Sequence, residues 1–398
     1  MRVLMLCPDL LAPPVSGGRI RMYQFAQHLG RKVTLDLFAP DLPEPESLEA
    51  TRRLCRKLWL YPPASREGPW ARRTRQLRSL LTANTYPWCP EVMERLHRAL
   101  DDESYDLLHL ETPYLSRYAR PYLRSLPAVI DFFGTTLGAW REFRYAKSPG
   151  RLLSRGVRYL AALAGERDCA RTYGSLIAIS EQDRDYLHSL APEARIYVVP
   201  NGIDLDYFAP RPDIPVEVAR LAFVGDMGFP PNVDAMLFFH RSILPRLRPL
   251  VPDLEVWIVG RDPAPAIRRL VTEGPYHVTG FVEDTRPFLT PATAAIVPMR
   301  LGAGVRNKVL EALAMGKAVV STRAGAEGIE VIPGEHLLLA DTPQDFVAAI
   351  LRILREPTFR NRLEKAARAR MEERYTWTLS TRLLDEAYLD LARKRGRP

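Results

Sequence analysis

The residues best suited to chemistry lie in one stretch, Pro298-Met-Arg-Leu-Gly-Ala-Gly-Val-Arg-Asn-Lys-Val-Leu-Glu-Ala-Leu-Ala-Met-Gly-Lys-Ala-Val-Val-Ser-Thr322. It reads as a strand end, a turn holding Gly302, Ala303 and Gly304, a helix over 304–315, and a new strand begun directly after Gly316. Val305, Val309, Leu310, Leu313 and Ala314 fall on one helical stripe. Arg306, Asn307 and Lys308 crowd the first turn, where the helix dipole disfavours cations. A bound polyanion removes that conflict, because backbone N–H groups, a bidentate Arg and a Lys together neutralise a diphosphate. Glu311, one and a half turns further on, is placed to accept hydrogen bonds from hydroxyls. A solvated helix start with unrelated charges is the plainer alternative.

A second loop, Pro13-Pro14-Val15-Ser16-Gly17-Gly18-Arg19, joins the first strand to the first helix. Gly17 and Gly18 at a helix start let backbone approach an anion. A tight turn accounts for the pair equally well, and the G-x-G-x-x-G dinucleotide fingerprint is absent.

Loops of this kind need strands and helices to hold them. Strands are predicted at 2–7, 33–38, 57–61, 106–110, 128–132, 175–179 and 195–199, with apolar cores such as VLMLC and AVIDFF rather than alternation. Such runs suit strands covered on both faces. Helices are predicted around 18–29, 90–100, 114–126 and 180–190, the last capped by Ser180 with Glu181 and Asp183 in its first turn. LAFVG, LEVWIVG, YHVTG, AAIVP and KAVVST restart the series, with helices between them. Two strand–helix series mean two doubly wound, Rossmann-like α/β domains with parallel sheets. Pro200, Pro210, Pro212 and Pro215 mark their boundary, and the chain turns helical after Pro343. The expected division is 1–200, 201–375, and a last helix within 376–398 that docks on the first domain. The two lobes are expected to face one another across a cleft lined by loops at the strand ends.

Composition closes off other classes. The chain has 398 residues, 46% of them apolar, which excludes a disordered protein. No apolar run approaches the ~18 residues of a membrane span, and the N-terminus does not read as a signal peptide. Cys7, Cys55, Cys89 and Cys169 are scattered without a C-x-x-C pair, the pattern of reduced cytoplasmic thiols. The net charge of +9 is concentrated: residues 51–80 carry nine basic side chains against Glu67 alone. Those running from Arg52 to Arg78 are interleaved with Trp59, Tyr61 and Trp70, a pattern suited to an anionic membrane surface at the inner leaflet; a solvated Arg-rich face is the alternative. A nucleic-acid binder is disfavoured, because no zinc or RRM-like motif accompanies the charge.

The 298–322 stretch resembles the donor-binding signature of family 4 glycosyltransferases, the large GT-B group. Further matching stretches are Val199-Pro-Asn-Gly-Ile-Asp-Leu-Asp-Tyr-Phe208, Leu221-Ala-Phe-Val-Gly-Asp-Met227 with Pro231-Asn232, Val256-Trp-Ile-Val-Gly-Arg261, Val278-Thr-Gly-Phe-Val-Glu-Asp284 and Tyr375-Thr-Trp377. Within the group the chain is most similar to bacterial sugar transferases of exopolysaccharide assembly. The resemblance implies a GT-B fold and transfer of a hexose from a nucleoside-diphosphate sugar (UDP or GDP) to an acceptor hydroxyl with retention. The acceptor is a sugar or lipid-linked, the place polysaccharide or glycolipid assembly. No cofactor and no metal are expected, since Arg306, Lys308 and a helix terminus stabilise the departing diphosphate.

The resemblance also assigns roles. Glu311 holds the donor ribose; Gly302, Ala303, Gly304, Val305, Asn307, Gly225 and Asp226 surround the donor, Gly17 and Gly18 form the matching loop of the first lobe, and Phe281 with Val282 flanks the nucleobase. The group's usual first glutamate is Ala303 here, and its usual cation after the first strand of the second lobe is replaced by Asp226. Its usual histidine after strand 128–132 is absent, where Asp131 leads into Phe132, Phe133 and Gly134. His109 and Glu111 then become the candidates for acceptor-side groups with Asp131, His109 also for catalysis; a buried structural histidine is an equal reading. A non-catalytic nucleotide-sugar-binding subunit remains the alternative to an enzyme.

Overall fold

The computed structural model describes residues 1–63, 88–137, 149–217, 219–302 and 304–395. Ala303 lies outside the described residues, as do Arg66, Trp70, Arg72, Arg73, Arg75 and Arg78 of the basic stretch. The chain divides into two compact units, Met1–Gly202 with Trp377–Pro398, and Ile203–Thr376.

Among the described residues the first unit holds seven parallel strands: β1 (Arg2–Leu6), β2 (Thr34–Pro40), β3 (Lys57–Tyr61), β4 (Leu107–Leu110), β5 (Ala128–Phe132), β6 (Ser175–Ala178) and β7 (Arg195–Val198). Their order is β3-β2-β1-β4-β5-β6-β7. Continuous apolar runs are required because both faces are covered: Val3 and Met5 enter one core with Phe25 and Leu29, while Leu4 and Leu6 enter the other with Leu96 and Leu108. The strand order reverses between β1 and β4, which opens a crevice beyond their carboxyl ends. Ser16 caps the helix Gly17–Leu29 by accepting from the Arg19 N–H. Ser180 caps Glu181–Leu190 in the same way, accepting from Asp183 N–H.

Two helical expectations are corrected. The single helix over 114–126 is three short turns, Pro113–Leu115, Ser116–Ala119 and Arg120–Tyr122. Pro121 lacks an N–H and cannot continue a helix. Conversely, Pro149–Tyr173 is one long helix, hidden in the sequence by Gly156 and Gly165, both poor helix formers. The last helix, Trp377–Arg395, packs within the first unit through Leu384, Tyr388 and Leu391. Trp377 meets Phe25 edge-on at 6.0 Å.

Among the described residues the second unit holds six parallel strands: β8 (Arg220–Val224), β9 (Glu255–Val259), β10 (Tyr276–Val278), β11 (Ala294–Val297), β12 (Val319–Ser321) and β13 (Leu338–Leu339). Their order is β10-β9-β8-β11-β12-β13, so the reversal falls between β8 and β11. The helix after β11 is Asn307–Ala314, a turn shorter at its start than the sequence suggests, with Arg306 as its extended N-cap. Gly302 and Gly304 have φ of +91° and +81°, which no helix accommodates. Among the described residues no helix is long and apolar enough to cross a membrane.

Candidate functional site

In the second unit the loops after β8 and β11 meet at the switch point. Lys308, in the first turn of Asn307–Ala314, points its Nζ to Asn232 Oδ1 at 2.7 Å and over the Phe223 ring at 4.2 Å. A Cβ on residue 225 would lie 2.7 Å from that Nζ, so Gly225 is what lets the ammonium approach the end of β8. Burial pushes the Lys308 ammonium down to about 7; Arg306 adds to this, and Glu311 and Asp226 oppose it. Burial also pushes the Glu311 carboxyl up to about 7, against the pull of Lys308. In both groups burial outweighs the attraction between them, so their charged forms are disfavoured where they stand.

Arg306 folds back over its own loop, Nη2 donating to the Leu301 carbonyl at 3.5 Å. A Cβ on Gly302 would come within 2.8 Å of that Nη2. Asp226 is not an isolated acid: Arg261, after β9, donates to its Oδ2 at 3.1 Å, and the Gly228 N–H binds its Oδ1 at 2.9 Å. Asn232 fixes the other end by donating to the Asp226 carbonyl at 2.8 Å. The structure thus brings Gly225, Asp226, Gly302, Arg306, Lys308 and Glu311 to one strand edge. Val305 and Asn307 lie half-buried beside them. Phe281, 72% exposed, and Val282 follow β10, across β9 from this group.

The first unit has its own pocket, of about 440 Å³, between the loops after β1, β4 and β5 and the helix Pro149–Tyr173. Tyr114, Asp131, Thr136 and Glu166 are among its lining residues. Glu166 holds the β5 loop, accepting from Thr136 N–H at 2.8 Å, Thr136 Oγ1 at 2.7 Å and Tyr186 OH at 2.8 Å. Gly17 is exposed in the first turn of its helix, and Gly18 packs against Phe133.

Behind the pocket, Arg21 and Asp131 form a fully buried ion pair at 2.8 Å. The same guanidinium donates to Asn201 Oδ1 at 2.8 Å and the Val199 carbonyl at 3.0 Å. His109 and Glu111 are wholly buried beside it. This corrects the expected role of His109 and Glu111 at the acceptor, since neither side chain reaches open space; of the three, only Asp131 borders the pocket. His109 instead bonds through Nδ1 to Tyr388 OH. Burial, with Arg21 nearby, pushes its ring down to about 3, which leaves it neutral. Burial raises the Glu111 carboxyl, and Asp131 adds to that.

Sequence alone gives no role to Arg21, Asn232, Arg261, Glu166 or Tyr388. One signal was available for Arg21: it shares a helical face with Phe25 and Leu29, an unusual place for a charge. Asn232 and Arg261 fall in stretches quoted for the resemblance, which gave them no role, and Glu166 and Tyr388 are joined to their sites only by the fold. The described part of the basic stretch is also changed by carboxylate partners, local for Arg52 and Arg53 and tertiary for Arg56 and Lys57. Arg52 and Arg53 pair with Glu49, Arg56 with Asp36 and Glu103, and Lys57 with Glu103.

Comparison with known proteins agrees with this architecture. Residues 15–207 match the model of Glycosyltransferase Family 4, and residues 219–356 that of Glycosyl transferases group 1. The chain belongs to this family, and its fold is GT-B, two Rossmann-like domains. It is 27% identical over 222 residues to a phosphatidyl-myo-inositol mannosyltransferase of Mycolicibacterium smegmatis, covering 53% of this chain and 56% of that one. It is 27% identical over 186 residues to the lipopolysaccharide core biosynthesis glycosyltransferase LpsE of Rhizobium meliloti, covering 45% and 50%. The chain therefore spans about half the length of these curated relatives. Among solved structures, sucrose-phosphate synthase from Thermosynechococcus elongatus superposes with a TM-score of 0.73 at 19% identity, over 99% of this chain and 100% of that one. Anabaena HepE in complex with UDP superposes with a TM-score of 0.70 at 14% identity, over 98% and 100%.

Proposed function

We propose that the protein transfers a hexose from a nucleoside-diphosphate sugar to an acceptor hydroxyl, with retention, in polysaccharide or glycolipid assembly. The observation that carries this is the end of β8, where Lys308 lies against Gly225 and Arg306 folds over Gly302, with Glu311 beside Lys308. Negative charge builds on the departing diphosphate, and preorganised cations and N–H groups stabilise it where it forms. A diphosphate placed there raises the Lys308 pKa and restores its full charge. In this reading the cations do the work of a metal at the phosphates. Glu311 accepts from the ribose hydroxyls.

The first-unit pocket, with Tyr114 and Asp131 at its wall, is the proposed acceptor site. A volume of about 440 Å³ is of the size that holds a sugar ring. UDP is the first nucleotide to try, because HepE is seen with UDP. Association with the inner face of a membrane, in a cytoplasmic protein, would rest on the cations of 64–87, since the described ones already have carboxylate partners.

The test is thermal unfolding with a panel of nucleotides and nucleotide sugars, followed by an assay of donor hydrolysis. A ligand at 100 times its Kd adds about 2.7 kcal/mol of stability. Stabilisation by one nucleotide together with turnover of its sugar supports the proposal. Ala303, standing where relatives of this pattern carry glutamate, favours a non-catalytic binder as the second reading; stabilisation without any turnover would select it.

A further inference from the structure

We propose that His109, Glu111 and Asp131 form a site for a divalent transition-metal ion, best matched by Zn²⁺, in the interior of the first unit. It is independent of the donor reading, because all three residues belong to the other unit.

Strand geometry brings the residues together. His109 and Glu111 are two apart, so the pleat sends both side chains to one face. β4 and β5 run in register as His109 beside Val129 and Leu110 beside Ile130, which carries Glu111 alongside Asp131. The ligating atoms of all three residues lie within 4.8 Å of one another. The three side chains are fully excluded from solvent.

Four atoms face this space with no hydrogen-bond partner among the described residues: His109 Nε2, both carboxylate oxygens of Glu111, and Asp131 Oδ1. A buried carboxylate with neither oxygen satisfied is strongly unfavourable. A proton on Glu111 does not join it to His109 Nε2, which is 3.6 Å from Oε1, beyond hydrogen-bond reach. That separation instead suits two ligands of one tetrahedral ion, since bonds of ~2.0–2.1 Å at a tetrahedral angle set ligand atoms ~3.4 Å apart.

The atoms pointing away from the space are already held, as metal sites require. Tyr388 OH is hydrogen-bonded to His109 Nδ1, and with Nδ1 as the donor the lone pair of Nε2 is left facing inward. Arg21 binds Asp131 Oδ2, leaving Oδ1 inward. One imidazole and two carboxylates make a mixed N/O set, which favours Zn²⁺ over the all-oxygen demands of Mg²⁺ or Ca²⁺. Asp131 also borders the pocket. The bound ion would join the ends of β4 and β5 and, through Tyr388, the last helix.

The test is metal analysis of the full chain purified without chelator, then removal of metal with dipicolinate and titration with Zn²⁺ by calorimetry. About one Zn²⁺ per chain is expected. Glu111→Gln, which preserves shape, and His109→Ala should each weaken Zn²⁺ binding at least ~100-fold, and Tyr388→Phe ~10–100-fold through the lost orientation of the imidazole. Far-UV circular dichroism checks that each variant is folded. Co²⁺ in place of Zn²⁺ in the wild type should show visible d–d bands, a readout that needs no variant. A wild-type chain that holds no metal and takes up neither Zn²⁺ nor Co²⁺ would overturn the proposal and leave Glu111 simply protonated. Equal Zn²⁺ affinity in wild type and folded Glu111→Gln would overturn it too.

Discussion

The Lys308 ammonium is anchored by Asn232, 2.7 Å from its Oδ1, across 76 residues of sequence. This contact converts a flexible side chain after β11 into a fixed charge over the end of β8. Asn232 also donates to the Asp226 carbonyl at 2.8 Å, so one amide positions both the cation and the turn it faces. Preorganisation of this kind is what a charge needs in order to favour a transition state.

Arg306→Ala and Lys308→Ala should each lower turnover by at least ~100-fold, the scale for losing one donor to a developing oxyanion. Steady-state rates on the donor identified by thermal shift decide this. Near-normal rates in both variants would exclude the diphosphate assignment.

Glu311→Ala should weaken free nucleotide and intact donor by the same factor, about 10–100-fold for a charged hydrogen bond of ~1.5–3 kcal/mol. Calorimetric titration measures both. An unchanged nucleotide affinity would remove the ribose role.

Gly302→Ala should cost ~1–2 kcal/mol for placing a side chain at φ +91°. It should also displace Arg306, whose Nη2 lies 2.8 Å from the new Cβ position. The expected signature is a loss of donor turnover larger than the loss of stability, compared by activity and urea unfolding on one preparation. Equal turnover in both proteins would mean that the Arg306 position is not set by this loop.

Arg21→Leu should destabilise the first unit by about 3–5 kcal/mol, because it leaves Asp131 buried without its partner. Urea unfolding of metal-free protein followed by circular dichroism reads this, and a shift below ~1 kcal/mol would show that Asp131 does not depend on Arg21 for its charge.

The Glu311 carboxyl, raised to about 7 in the folded chain, binds more protons there than in the unfolded chain. Its contribution to stability is therefore full below about 4.5 and is lost as pH rises toward 7. Glu311→Gln should remove that loss, gaining on wild type between pH 5 and pH 7 by about 1–3 kcal/mol. A pH-independent difference between the two proteins would refute the shifted titration. Lys308 has the opposite sense: its lowered value makes nucleotide affinity fall as pH rises above about 7, which titration at pH 6 and 8 would show.

The sequence by itself determined the two parallel sheets. Runs such as Val3–Leu6 and Ala294–Val297 are apolar on both faces, and only a doubly covered strand tolerates that. It also marked the loop proposed for the donor, because glycines, cations and an acid sit within ten residues of one another from Gly302 to Glu311. Tertiary structure decided what depends on distance in space. Asn232 reaches Lys308, Arg261 reaches Asp226, Glu103 neutralises Arg56 and Lys57, and Tyr388 from the last helix holds His109. No local pattern encodes such pairs, since each joins loops or strand ends that only the sheet order brings together. Burial was the other unreadable quantity. His109 and Glu111 look like site residues at a strand end, but the last helix and the Arg21 pair close over them, and desolvation then sets their chemistry.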